Sequence, residues 1–327
     1  MLVFFTHALT RIYHQKEAGC MAGTPKHLID WKYRDDAEIR EMLALARRVK
    51  RQRREFQGHL QGRTLVMIFQ KTSTRTRVSF EAGMTELGGH AINLDWHTTN
   101  FTLSDIRSET RYLSRNSAFI MARLRSHSDL LDMAAGATVP VINGCCNLYH
   151  PCQALADMLT IAEDRDADPG GARLTYIGAY NNVVNSLVSI SAALGVELTL
   201  VCPIRDRALV DEESRSRLLG LGLLTETLDA KAAVADADYV YTDTWIDMEY
   251  FNDPAFAGEK DRRCELMLPY QVNAALLADS HAKVMHDMPM HLGFEITGEV
   301  AESERSIIYD QAENRLDAQK AILLTLA

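Results

Sequence analysis

The chain has 327 residues, of which 47% are hydrophobic, and a formal net charge of −9. That length suggests about two domains of roughly 150 residues each, and the apolar content is enough for two buried cores. The negative balance argues against broad nucleic-acid binding, but a local cluster of arginines can still hold a small anion. Six cysteines (Cys20, Cys145, Cys146, Cys152, Cys202 and Cys264) contain no CxxC pair. The adjacent Cys145 and Cys146 are poorly spaced for zinc. We therefore expect reduced thiols in a cytoplasm and no bound metal. No run of about 18 apolar residues occurs, so no membrane span is expected.

In chain order, residues 1–26 read as an N-terminal extension. Met1 to Phe5 is apolar, but Thr6, His7, Arg11 and His14 break it before a signal-peptide core forms, and Met21 offers an alternative start. Asp35 to Gln57 carries Ile39, Met42, Leu43, Ala46 and Val49 at the spacing of an amphipathic helix. Thr64 to Phe69 is a short apolar run, as in a buried parallel strand. Arg75 to Leu87 predicts a helix stopped by Gly88 and Gly89, and Ala91 to Leu94 the next strand. Further strands are expected near Phe119 to Met121 and Val139 to Ile142. A helix starts at Pro151, a favoured first helical position. Asp164 to Ala172 is rich in Asp, Pro and Gly, and the domain boundary is expected near the helix that leads into it.

Past it the alternation restarts. Strands are expected at Arg173 to Ala179, Val196 to Cys202, Asp238 to Thr242 and Lys283 to His286. Helices are expected at Val183 to Leu194, Arg207 to Leu219, Leu266 to Ala278 and Gln311 to Leu326. The fold class is therefore α/β, with two doubly wound parallel-sheet domains. Residues 27–160 form the first and residues 161–304 the second. Ligands in such folds sit outside the carboxyl ends of strands, so the loops there hold the chemistry.

Lys71 to Arg77 (KTSTRTR) follows a buried strand and opens a helix. Helix-leading N–H groups, the hydroxyls of Ser73, Thr74 and Thr76, and the guanidinium forks of Arg75 and Arg77 suit phosphate. Neither the GxxxxGK[ST] nor the GxGxxG pattern is present, which disfavours a nucleotide or nicotinamide site. The alternative is that Ser and Thr cap the helix while the arginines lie on a solvated face. His150 stands at a helix cap with Gln153 three residues on; both can donate to a carbonyl or amide, and a capping role is the alternative. Arg123 ends an apolar run, as a strand-end arginine or a surface ion pair. Asn182 can bind a carboxylate or cap a helix. Asp243 can hold an ammonium group or cap. Backbone carbonyls of His286 to Pro289 can accept from an amide. Arg315 lies early in the last helix, where the helix dipole disfavours a cation, hinting at an anion or polar ligand nearby.

These strings resemble the aspartate/ornithine carbamoyltransferase family, and its ornithine branch most closely. The anchors are FQKTSTRTRVSFE (Phe69 to Glu81), HPCQALADMLT (His150 to Thr160), NNVVNS (Asn181 to Ser186), TDTW (Thr242 to Trp245) and QAENRL (Gln311 to Leu316). They occur in the family's order over about His27 to Ala327. The resemblance implies transfer of the carbamoyl group of carbamoyl phosphate to the amine of an ornithine-like amino acid, giving a ureido product and phosphate. It implies a carbamoyl phosphate-binding domain completed by the C-terminal helix (305–327), followed by an amino-acid-binding domain. It implies no cofactor, homotrimers with active sites at subunit interfaces, and a place in arginine biosynthesis in the cytoplasm. Ser73, Thr74, Arg75 and Thr76, with Arg123, would hold the phosphate. Thr76, Arg123 and His150 would polarise the carbamoyl carbonyl. Gln153, the Met288 backbone carbonyl and Arg315 would hold its NH2. Asn182, Asp243 and Met248 would bind the amino-acid end of the second substrate.

The match fails at three places. The ornithine enzymes usually read HCLP where this chain has His286-Asp287-Met288-Pro289, and SMG where it has Asp247-Met248-Glu249. A glutamine-bearing SQ loop, which in the family reaches the neighbouring subunit's site, is replaced by His97-Thr98-Thr99-Asn100-Phe101. Two carboxylates, Asp247 and Asp287, thus stand near the second substrate and predict altered amine specificity, toward another diamino acid or a polyamine; local divergence, with both acids facing solvent, is the alternative. A non-catalytic paralogue is a further alternative, against which Arg75, Arg123, His150 and Arg315 argue.

Overall fold

The computed structural model describes residues 25–327. The proposed extension therefore lies, but for its last two residues, outside the described residues, as does Cys20. Helix α1 (Asp36–Arg51) is capped by Asp35, whose side chain accepts from the Ala37 amide, and buries Ile39, Met42, Leu43, Ala46 and Val49. It ends six residues before the sequence suggested, and a short 3-10 turn (Arg53–Phe56) follows. Arg53 and Arg54 occupy the positions that would continue the buried stripe, and only Phe56 returns to the core.

Strands β1 (Thr64–Phe69), β2 (His90–Asp95), β3 (Phe119–Arg123) and β4 (Val141–Cys145) form one sheet in the order β2-β1-β3-β4, with every pair parallel. Helix α2 (Arg75–Glu86) joins β1 to β2. Two helices the sequence reading did not mark, α3 (Ile106–Ser114) and α4 (His127–Gly136), flank β3 in the chain. Helix α5 (Pro151–Asp164) leads into the second sheet. There β5 (Arg173–Ile177), β6 (Glu197–Val201), β7 (Leu224–Glu226), β8 (Tyr239–Thr242) and β9 (Lys283–His286) run in the order β7-β6-β5-β8-β9, again all parallel. Helices α6 (Asn182–Leu194), α7 (Glu212–Gly220) and α8 (Ala230–Ala235) connect the first four of these strands.

One predicted helix is displaced. The segment Leu266 to Ala278 is not one helix: α9 spans Ala257–Met267 and the chain leaves it through a 3-10 turn, Leu268–Tyr270. Pro269 cannot supply the amide that would extend the helix. The Val272 amide then bonds to the Glu295 carbonyl, which draws the chain away. The three-residue strand β7 and the six-residue α8 are too short to leave a period in the sequence.

After the four-residue α10 (Gly298–Ala301), the terminal helix α11 (Ile308–Leu326) returns to pack on α5, α1 and α2. Gly83 permits the close approach to α2, since a Cβ there would lie 3.2 Å from Lys320 Cγ. Away from the cleft the two sheets' halves are tied by Asp211, which accepts from Lys32 Nζ and from the Tyr149 hydroxyl, both at 2.8 Å. Among the described residues no helix is long and apolar enough to cross a membrane.

Candidate active site

Strand order reverses between β1 and β3 in the first sheet and between β5 and β8 in the second. A crevice forms outside the carboxyl ends at each such point. The Lys71 to Arg77 loop leaves β1, and Arg123 is the last residue of β3. Asn181 and Asn182 follow β5, and Asp243 follows β8. The residues singled out from sequence thus occupy the two positions where the topology opens a site.

On the first side, the Gln70 amide donates to the Arg123 carbonyl and the Gln70 side chain accepts from the Arg125 amide, which locks the two strand ends together. The register against β4 slips between Ala122 and Arg123, a bulge that re-aims the arginine. Ser73 Oγ accepts from the Thr76 amide at 3.3 Å, so Ser73 does cap α2. Thr74 is exposed. Arg77 pairs with Glu81 on the solvated face, as the alternative reading had it. Arg75 instead turns inward and donates from Nη2 to the Met288 carbonyl at 2.6 Å, across the cleft.

Arg315 is almost wholly buried. Its Nη2 donates to Thr76 Oγ1 at 2.5 Å and its Nη1 to Gln153 Oε1 at 2.8 Å, with Asp287 Oδ1 at 3.4 Å. Gln153 is oriented from behind, because its Nε2 donates to Asp157 Oδ1, which also accepts from Gln311 Nε2. Burial pushes the Asp157 carboxyl up to about 8, against the pull of those amides, so it is largely protonated at neutral pH. His150 is buried, and burial together with Arg315, Arg123 and Arg75 holds its pKa well below the ordinary value, so its ring is neutral. Burial also lowers the pKa of Arg75, with Arg315 and Arg123 adding to the effect and Asp287 opposing it. These four cationic or imidazole side chains therefore lie near enough to act on one another's charge. Each keeps a buried nitrogen without a partner among the described residues: Arg75 Nε, Arg123 Nε, Arg315 Nε and His150 Nδ1.

The second side is acidic. Asp243 Oδ2 accepts from Asn181 Nδ2 at 2.7 Å, and Oδ1 from the Thr244 amide at 2.8 Å. Burial, then the neighbouring Asp287, pushes the Asp243 carboxyl up to about 7. Asn181 also caps α6 through the Val183 and Val184 amides. Asn182 Nδ2 donates to the Cys146 carbonyl at 2.7 Å and lies 3.2 Å from Cys145 Sγ. Of the two unusual acids, Asp287 faces the cluster and Asp247 is exposed, as is Met248.

Sequence reasoning passed over Glu249, which spans the cleft to Lys71 Nζ at 2.8 Å and Arg125 Nε at 3.4 Å. Its only signal was a charge in place of the glycine of SMG. Asp157 and Glu295 were also passed over; both support other groups, Asp157 from within α5 and Glu295 from nine residues beyond the end of β9. Among the described residues no group of three or more His, Cys, Asp or Glu side chains is arranged to hold a metal ion.

Residues 26–163 match the carbamoyl-P binding domain model of aspartate/ornithine carbamoyltransferase, and residues 170–326 match its Asp/Orn binding domain model. The chain is 42% identical over 308 residues to the ornithine carbamoyltransferase of Archaeoglobus fulgidus, covering 92% of this chain and 97% of that one. The solved ornithine carbamoyltransferase of Pyrococcus furiosus superposes with a TM-score of 0.84 at 37% identity, over 93% of this chain and 97% of that one. A solved N-acetyl-L-ornithine transcarbamylase mutant complexed with PALAO superposes with a TM-score of 0.80 at 29% identity, over 92% and 100% of the two chains. With both domains matched in order over nearly its whole described length, this chain belongs to the aspartate/ornithine carbamoyltransferase family and is a carbamoyltransferase.

Proposed function

We propose that this enzyme carbamoylates the side-chain amine of an ornithine-like amino acid, with Arg75, Arg123, Arg315 and His150 as the groups that hold and activate carbamoyl phosphate. The observation that carries the reading is the convergence of those four side chains, each with a buried nitrogen that has no partner among the described residues. Ser73, Thr74, Arg75 and Thr76, with Arg123, bind the phosphate. Thr76, Arg123 and His150 stabilise the oxygen on which charge grows as the neutral amine attacks the carbonyl carbon. Gln153, the Met288 carbonyl and Arg315 hold the NH2 group. The carbon–oxygen bond to phosphate breaks, and the departing phosphate, already paired with arginine, can take the amine proton. No protein base is required. Bringing the two halves together orients the reactants and excludes water.

Asn182, Asp243, Asp247, Met248 and Asp287 form the amine side. Asp287 beside Asp243 favours a substrate with a second cationic group, so another diamino acid or a polyamine is the second reading. Residues 27–160 with 305–327 make the carbamoyl phosphate domain and 161–304 the amine domain. We place the enzyme in the cytoplasm, in arginine biosynthesis, as a homotrimer. The exposed His97 and Asn100, on turns fixed by the stacked Trp96 and Phe101 rings, would reach the adjacent subunit's site. The test is an assay with carbamoyl phosphate and a panel of amines: ornithine, lysine, shorter diamino acids and putrescine. Phosphate and ureido product should appear together with at least one amine. Phosphate release that never yields a ureido product would overturn the reading.

A further inference from the structure

Behind the Met288 turn lies a buried carboxylate that touches none of the groups assigned to the substrates. Glu295 is fully buried, and its Oε1 accepts from the His291 amide at 2.5 Å and lies 3.1 Å from His286 Nε2. The other ring nitrogen, His286 Nδ1, receives the Met288 amide at 2.7 Å. A backbone amide can only donate, so Nδ1 must be the unprotonated nitrogen. The proton of His286 therefore sits on Nε2 and points at Glu295. One carboxylate oxygen thus sets the tautomer of His286, the tautomer anchors the Met288 amide, and the Met288 carbonyl receives Arg75. Met288 takes φ +64, a conformation a non-glycine residue rarely adopts unless its surroundings impose it.

The same carboxylate also holds the neighbouring loop after β8, through His291. The Thr244 hydroxyl has a single proton and gives it to the Ile246 carbonyl at 2.6 Å, so His291 Nδ1, 3.0 Å from that oxygen, is the donor between them. The His291 ring also stacks on Phe251 at 3.7 Å, nearly parallel. The turn bearing Met288 and the loop bearing residues 244–249 are therefore held by one buried acceptor.

We propose that Glu295 is a positioning residue, which fixes the His286 tautomer and through it the Met288 carbonyl that faces carbamoyl phosphate. This rests on the reading of Met288 given above. Both hydrogen bonds fall on Oε1, whereas Oε2 has no hydrogen-bond partner among the described residues. An acceptor at one position is what matters, so Glu295→Gln should keep function and Glu295→Met should not. We expect Glu295→Met to lower kcat/KM for carbamoyl phosphate by about tenfold to a hundredfold, the range typical of groups that orient a site from behind, with Glu295→Gln within a few-fold of wild type. Wild-type kinetics in the Met variant, or equal losses in both variants, would overturn the proposal. Because the Met variant can fail to fold, the second measurement is made on the wild-type enzyme: nitrogen-15 spectra of the His286 ring, assigned by its loss in His286→Gln. Protonation at Nε2 supports the proposal and protonation at Nδ1 overturns it. A wild-type enzyme inactive with every amine would instead sink the reading of Met288, and the tautomer would still decide the role of Glu295.

Discussion

The two walls of the cleft are built on opposite terms. The wall from the first sheet presents Arg75, Arg123, Arg315 and His150, each with a buried nitrogen left without a partner among the described residues. Buried polar atoms left open are costly unless something else satisfies them. The wall from the second sheet leaves less open. Both oxygens of Asp243 are taken by Asn181 and Thr244, the amide of Asn182 by Cys146, and Glu249 by Lys71 and Arg125. The first wall is preorganised for an anion. The second must exchange contacts with its own chain to admit an amine, and that exchange is where specificity can change without disturbing the fold.

The sharpest way to break this comparison is to remove one donor of the first wall. Arg75→Ala should lower kcat/KM by roughly a hundredfold to a thousandfold, the cost of one preorganised donor at a developing charge, with an unchanged circular dichroism spectrum. A loss under tenfold would mean that the open nitrogen of Arg75 faces no substrate. The next effect belongs to the second wall. Asp287→Cys restores the residue usual in the ornithine branch and removes one of two neighbouring carboxylates. The ratio of kcat/KM for ornithine over putrescine should rise by about tenfold to a hundredfold, as for loss of one charge-assisted hydrogen bond. An unchanged ratio would assign Asp287 to Arg315 alone, 3.4 Å away, with no part in choosing the amine.

The unequal walls also explain what could be read before any coordinates. Strand-end loops announce themselves, because a buried apolar run must stop and a helix must begin; Lys71 to Arg77, Arg123, Asn182 and Asp243 all lie at such points. Both parallel sheets followed from the same alternation. Partnerships across the cleft left no local trace. The family resemblance placed Arg75, Thr76, Met288 and Arg315 around one substrate, but no local pattern foretold that Arg75 donates directly to Met288, 213 residues away, or Arg315 to Thr76, 239 residues away. The displaced helix at residues 257–267 has the same origin, since the pairing of Val272 with Glu295 that ended the predicted segment is a tertiary contact. Glu249 was overlooked for a related reason: in the SMG comparison attention fell on Met248, which matches, and on the new acid Asp247, whereas the role of Glu249 depends on two cations from the other half.

Acidity gives a smaller, graded test. Burial and Asp287 raise the Asp243 carboxyl to about 7, so below that pH it is increasingly protonated and pairs poorly with an ammonium group. In the empty enzyme kcat/KM for the amine should therefore fall by up to ~tenfold for each pH unit below it, and Asp243→Asn should remove that limb while lowering the plateau. Stability should move the opposite way. A carboxyl raised above its ordinary value of 3.8 contributes stability that is complete below 3.8 and is lost as pH rises through about 7. Wild type should thus lose melting temperature over that window relative to Asp243→Asn. Parallel curves for the two proteins would show that Asp243 does not titrate there.

The smallest effect should come from Glu249, and its sign carries the information. Its partners Lys71 and Arg125 flank the anion-binding loop, and all three side chains are partly exposed, so each pair contributes at most about 1 kcal/mol. Two consequences of Glu249→Gln oppose each other. Freed cations raise the positive potential over the loop and should tighten carbamoyl phosphate binding. Losing a contact between the two walls should loosen the cleft and weaken it. The first should win, because Arg75 to Met288 still spans the cleft at 2.6 Å whereas no other acid pairs with Lys71 or Arg125 among the described residues. KM for carbamoyl phosphate should fall about two- to fivefold at low ionic strength, and the gain should vanish as salt shortens the Debye length to ~8 Å near 0.15 M. A rise in KM that persists in salt would make Glu249 a clasp between the walls, and the second wall would then help to hold the anion as well as the amine.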